Sequence, residues 1–160
     1  GRTFIMPTQD ARERAVRLKL NPIKSTVEGK TVTLIDDSIV RGTTSTQLVQ
    51  LLKDCGAEAV HMRIGAPPIV APCYLGIDMA TREELIASDK SVDEIGDAID
   101  ADSLAYLSKE AVADALGADR GDLCMGCVTG EYPYEIDGEE TDREVSRPVI
   151  DGGRSADADD

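Results

Sequence analysis

At 160 residues and 41% apolar, the chain is long enough for one domain with a modest core, although it has no Trp and a single Phe. Its net charge of −14 argues against nucleic-acid binding. No apolar run is long enough to span a bilayer and no signal-peptide pattern is present, so a cytoplasmic protein with no membrane and no nucleic-acid partner is expected.

Charge is unevenly spread. Residues 1–30 carry seven Lys/Arg against three Asp/Glu, whereas the other 130 carry ten against 28. Arg2, Arg12, Arg14, Arg17 and Lys19 flank the polar segment Pro7–Asp10, and Arg12–Leu20 has helical character with Ala15, Val16 and Leu18 as a short apolar patch. Solvated surface charge is the plain reading of most of these bases.

The next element is the most informative. Val32, Leu34 and Ile35 form a β-rich apolar run that ends in two adjacent carboxylates, Asp36 and Asp37. A loop of Ser38-Ile-Val-Arg-Gly-Thr-Thr-Ser45 leads into a helix. This order predicts acids at the carboxyl end of a strand, where open α/β sheets bind ligands. It also predicts backbone N–H groups at a helix start, which favours a phosphate. Two aspartates would repel a bare phosphate. They make sense facing sugar hydroxyls or a Mg²⁺ ion, which one or two carboxylates plus substrate phosphates hold. The competing reading is that Asp36 and Asp37 are turn and cap residues. Arg41 is either a surface arginine at a turn or a guanidinium fork for phosphate, and Gly42 permits close backbone approach.

Thr44 and Ser45 are N-cap types, and Leu48, Val49, Leu51, Leu52 and Cys55 fall on one helical face that Gly56 should end. Ala59–Ile64 alternates as a strand, completing a β-loop-α-β unit with a right-handed crossover. His61, the only histidine, has a structural role as its expected reading. Further on, Thr81-Arg-Glu-Glu84 and Ser91-Val-Asp-Glu94 read as capping boxes starting helices at 82–88 and 92–99. Asp100–Ser103 is a turn before the apolar stretch Leu104–Leu107, and Ser108 should cap a helix stopped by Gly117.

Cys124-Met-Gly-Cys127 is a C-x-x-C, and Cys73 lies 51 residues before it. Such a motif is open between zinc, an iron–sulfur cluster and dithiol redox chemistry. Cys55 reads as helix core, which leaves three ligands where a cubane takes four. The last 30 residues hold eleven acids against three bases and read as a solvated, disordered tail. The excess of acid also fits a high-salt cytoplasm.

The strand-acids-loop segment resembles the phosphoribosyl pyrophosphate (PRPP) motif of type I phosphoribosyltransferases. Gly1–Pro7, Asp36–Ser45, Ala66–Pro68, Gly76–Asp78, Glu84–Ser88 and Ser91–Ile95 recur in that order in one family, the glutamine PRPP amidotransferases. The resemblance covers Gly1 to about Ile136. It implies an α/β fold: a partial type I phosphoribosyltransferase (Rossmann-like, parallel sheet), a C-terminal helical segment and the disordered acidic tail. Residues 1–21 would be a mobile basic loop, 22–80 the C-terminal part of the transferase domain, 81–136 the helical segment with the late cysteines, and 137–160 the tail.

The resemblance further implies transfer of glutamine-derived ammonia to PRPP, the first step of de novo purine biosynthesis. It makes Asp36 and Asp37 the catalytic acids, binding ribose hydroxyls and Mg²⁺. Ser38, Arg41, Gly42, Thr43, Thr44 and Ser45 join them in binding PRPP, while Arg2 and Lys19 are candidates in the closing loop. One branch of the family holds a 4Fe–4S cluster, which would fall here on Cys73, Cys124 and Cys127 with a fourth ligand outside this chain. The chain opens inside a family motif without an initiator Met, so it is expected to be a C-terminal fragment, inactive alone. A separate N-terminal glutaminase domain and a homo-oligomer (tetramer) are implied for the full-length protein. The alternatives are another PRPP-binding phosphoribosyltransferase and a non-catalytic PRPP-binding remnant.

Overall fold

The computed structural model describes residues 22–77 and 81–134. The basic segment 1–21, Asp78 and the tail 137–160 lie outside the described residues, and with them Arg2, Lys19 and the loop and tail readings. The elements run α1 (Lys24–Val27), β1 (Thr31–Asp36), α2 (Thr43–Asp54), β2 (Ala59–Ile64), α3 (Val92–Ala98), β3 (Ser103–Tyr106), α4 (Lys109–Leu116) and α5 (Gly126–Thr129). Short 3₁₀ turns occupy Arg82–Glu84 and Arg120–Asp122.

The sheet is parallel in the order β1-β2-β3, as the α/β reading requires. Thr31 pairs with Ala59 and Asp36 with Ile64, while Ile64 pairs onward with Tyr106. Side chains alternate across a strand, so Leu34, Val60, Met62, Ile64, Leu104 and Tyr106 share one face. There they meet Val49 of α2 and Ile95 of α3, with Ile39, Ala87 and Ile99 completing the core. Val49, Val60, Met62, Ile95 and Ile99 are fully buried. Each such side chain contributes roughly 1.5–3 kcal/mol relative to exposure. On the opposite face Thr31, Thr33 and Ile35 are exposed, Ile35 at 76%. Strands of parallel sheets are usually covered on both faces, so β1 is open on a side that such strands ordinarily bury.

Lys53 fastens the turn before β3. Its Nζ donates to Asp100 O at 2.6 Å and pairs with the Asp100 carboxylate at 3.0 Å, holding a non-glycine residue at φ 60°. Asp102 Oδ2 accepts Val60 N at 2.7 Å, and this amide, ahead of the Lys53 charge, holds the carboxyl below the usual carboxylate range.

Several local expectations are corrected. Leu104–Leu107, expected only to follow a turn within a helical segment, overlaps β3, because Ser103–Tyr106 finds β2 as a partner. The capping box at Thr81 does not form and no helix spans 82–88. The Ile86 amide donates to Val40 O at 2.9 Å instead of to a preceding turn, and Leu85 and Ala87 are both buried. The N-cap of α2 is Gly42 in the left-handed region, φ 77°, not Thr44 or Ser45. Cys55 is the half-buried C-cap of α2 and not core.

Candidate functional site

β1 delivers Asp36 and Asp37 to the carboxyl edge of the sheet, where Gly65 N donates to Asp36 O at 2.9 Å. Asp36 Oδ1 accepts the Asp37 amide at 3.0 Å. Burial pushes the Asp36 carboxyl above its ordinary value, and the neighbouring Asp37 charge adds to the rise against the lowering effect of that amide. A cation placed here would relieve both the burial penalty and the repulsion between the two acids.

The loop then turns through Gly42. The first bond of α2 runs from Thr46 N to Gly42 O at 2.9 Å, which leaves the amides of Thr43, Thr44 and Ser45 as the orphan donors of a helix start. The Thr46 hydroxyl also bonds Gly42 O, at 3.0 Å. Thr44 is exposed and Thr43 half-buried, whereas Ser45 is only 3% exposed, so its hydroxyl has little open access. Ser38 is half-buried and Arg41 exposed. Arg41 Nη2 reaches Glu84 Oε2 at 3.0 Å, a contact across 43 residues. The structure thus gathers Asp36, Asp37, Ser38 and Arg41–Ser45 at one sheet edge. Glu84 is the neighbour that sequence reading missed as a site residue: it opens the motif Glu84–Ser88, but its setting in an apparent capping box gave it only a helix-start role.

A second locus joins the cysteines. Val70 N and Ala71 N both donate to Cys127 O, at 2.9 and 3.1 Å, the Tyr132 hydroxyl donates to Pro72 O, and Tyr74 meets Tyr132 edge-on at a ring separation of 5.0 Å. Burial pushes the Cys127 thiol up, and the charges of Cys73 and Cys124 act on it in the same direction. Burial also pushes Tyr132 up to about 12. All three cysteines are free. Among the described residues, no group of three or more His, Cys, Asp or Glu side chains is arranged to hold a metal ion. The donor chemistry suits an iron–sulfur cluster, but these residues supply three thiolates and are not closed around a metal.

His61 is paired on the sheet: its Nδ1 lies 2.8 Å from Ser103 Oγ on the neighbouring strand.

No protein-family model matches the chain. It is 60% identical over 136 residues, 85% of its length, to an amidophosphoribosyltransferase of Methanocaldococcus jannaschii. It is 55% identical over 147 residues to the amidophosphoribosyltransferase of Methanothermobacter thermautotrophicus. The fold agrees with the glutamine PRPP amidotransferase of B. subtilis solved with ADP and GMP, at a TM-score of 0.72 and 50% identity over 85% of the chain. By sequence and by fold, the chain is homologous to one segment of the amidophosphoribosyltransferases.

That segment is a minority of the enzyme. The chain spans 28% and 31% of the two curated relatives and 31% of the solved chain. The three-stranded parallel sheet with its helices is the corresponding part of the type I phosphoribosyltransferase fold. Among the described residues, no helix is long and apolar enough to cross a membrane.

Proposed function

We propose that the full-length protein carrying this chain is a glutamine-dependent amidophosphoribosyltransferase. It forms 5-phosphoribosylamine from PRPP and glutamine-derived ammonia, releases pyrophosphate, and so begins purine synthesis in the cytoplasm. One juxtaposition carries the reading: Asp36 and Asp37 at the end of β1 face a helix start with orphan amides, in a chain 60% identical to an amidophosphoribosyltransferase.

The residues divide the substrate between them. The amides of Arg41–Ser45 and the Thr43 and Thr44 hydroxyls bind the 5-phosphate, with the Arg41 guanidinium adding charge-assisted bonds. Asp36 and Asp37 bind the ribose hydroxyls and hold Mg²⁺, and their negative charge stabilises the positive charge that develops on the sugar. A Mg²⁺ ion held by Asp36 and Asp37 would neutralise charge on the departing pyrophosphate. Ammonia arrives as a nucleophile and needs no general base among these residues.

Cys73, Cys124 and Cys127 are proposed as three ligands of a 4Fe–4S cluster, completed by a cysteine elsewhere in the full-length protein. The same protein is proposed to carry a glutaminase domain and to assemble as a homotetramer. The test is glutamine-dependent release of pyrophosphate from PRPP by the full-length protein. Release that needs a purine or orotate base instead of glutamine overturns the reading, and so does no turnover. Iron and sulfide analysis of anaerobically purified protein, with absorbance near 400 nm, checks the cluster, and their absence refutes it.

A further inference from the structure

Three consecutive residues of the loop, Val40, Arg41 and Gly42, are each met by residues 84–86, which lie more than forty positions away in the chain. Ile86 N donates to Val40 O at 2.9 Å. Glu84 Oε2 accepts from Arg41 Nη2 at 3.0 Å. A Cβ on Gly42 would lie 2.7 Å from Ile86 Cδ1. Leu85, between the two, is 1% exposed and anchors the segment.

A carboxylate at an anion-binding loop works against the anion unless it serves the loop in another way. The Glu84 contact engages Nη2, and a guanidinium has five N–H donors in a rigid fork, so it can hold a carboxylate and a phosphate together. An arginine side chain otherwise samples many rotamers, and tethering one donor lowers the entropy lost when the others meet a ligand.

We infer that Glu84 is a positioning residue for PRPP: it tethers Arg41 so that the remaining guanidinium donors meet the 5-phosphate. The inference rests on the proposed function. With both side chains part-exposed, at 39% and 50%, the tether acts on binding far more than on folding.

The test is steady-state kinetics of the full-length protein with PRPP, Mg²⁺ and glutamine. Glu84→Ala should raise KM for PRPP by roughly three- to five-fold, the reach of one part-exposed charge pair, with kcat within about two-fold. Glu84→Gln, which keeps an acceptor for Nη2, should recover part of the loss. Arg41→Ala should raise KM further, and adding Glu84→Ala to it should raise KM no more, and should lower it if anything, because the tether then has nothing to hold and the carboxylate only repels the anion. A merely structural role would instead lower the thermal midpoint in both backgrounds and add in full. An unchanged KM in Glu84→Ala, or a full additive effect on Arg41→Ala, overturns the inference alone. A wild type that does not consume PRPP overturns the functional reading and this inference with it.

Discussion

Gly42 lies so close to Ile86 that a Cβ built on it would stand 2.7 Å from Ile86 Cδ1 and 3.5 Å from Ile99 Cγ2. The backbone at Gly42 is also in the left-handed region, φ 77°. Gly42→Ala therefore meets two obstacles, the conformational one costing about 1–2 kcal/mol. The substitution should lower stability by that amount or more in chemical denaturation. It should also weaken PRPP binding beyond what the stability loss explains, because the Thr43–Ser45 amides take their direction from this turn. Unchanged affinity in a folded Gly42→Ala variant would separate the turn from ligand binding.

Asp36 links the site to pH. Its folded-state carboxyl is raised, chiefly by burial, so the stability linked to it is fully present below the unfolded value and is lost as pH rises through the folded value. Near neutral pH the ionised group is a liability of the free protein. Asp36→Asn should accordingly raise the thermal midpoint of the ligand-free protein slightly. The double change Asp36→Asn with Asp37→Asn should abolish Mg²⁺-dependent PRPP binding. In wild type, that binding should weaken as pH falls through the raised Asp36 value, since protonation removes a metal ligand. Calorimetric titration across this range checks both signs, and a double variant that binds like wild type refutes the assignment.

Two similar texts show where sequence reading succeeds and where it stops. Ser91 and Glu94 form the expected capping box: Ser91 Oγ accepts Glu94 N at 3.3 Å, and Ser91 N donates to Glu94 Oε2 at 2.8 Å. Thr81 and Glu84 carry the same pattern but form no box, because Glu84 faces Arg41 and the Ile86 amide goes to Val40 O. A local rule holds where no distant partner competes for the same groups. β1, α2 and β2 were legible because their apolar patterns are long and regular, and Ser108 and Gly117 bounded α4 as read. β3 was not legible: its four residues become a strand only through β2, about forty positions earlier. The Asp36–Ser45 loop was visible as chemistry, but its tether was not.

The Ser91 box supports a stability prediction. Removing the cap with Ser91→Ala should cost about 1 kcal/mol, or roughly 2–4 °C in a chain of this size. The Ser91 amide and hydroxyl hold Glu94 below the usual carboxylate range. That stabilisation is present above the unfolded value and is lost as pH falls through the folded one. Ser91→Ala keeps the amide bond and loses only the hydroxyl's share, so the difference between wild type and variant should narrow slightly in acid and be constant near neutrality. Thermal melts at several pH values decide it, and a gap that widens on acidification contradicts the cap.

Tyr132 holds the Cys73 segment against the C-x-x-C turn. A Cβ on Gly126 would come 2.5 Å from Tyr132 Cδ1, so the ring lies directly on the glycine between Cys124 and Cys127. Gly126→Ala should displace that ring at a cost of about 1–3 kcal/mol. Tyr132→Phe keeps the ring and loses the bond to Pro72 O, about 1 kcal/mol. If the three cysteines bind a cluster, Gly126→Ala should reduce the iron retained by the full-length protein more than Tyr132→Phe does. Equal iron in both variants would show that the ring does not shape this locus.

Salt tests the charge balance of the whole chain. The exposed pairs Lys24–Glu28, Arg41–Glu84 and Arg120–Glu110 are attractive and weaken as salt rises. Against them stands the repulsion of 31 acidic residues, offset by only 17 basic ones. Exposed pairs are each worth little, whereas net charge of this size opposes the compact state throughout, so repulsion is the larger effect. Screening shrinks to about 3 Å at 1 M salt, which removes most of that repulsion while leaving contact pairs partly intact. The thermal midpoint should therefore climb between low salt and 1 M KCl, and KM for the anionic PRPP should fall over the same range. A midpoint that drops with added KCl would mean that the attractive pairs dominate, and would remove the basis for a high-salt setting.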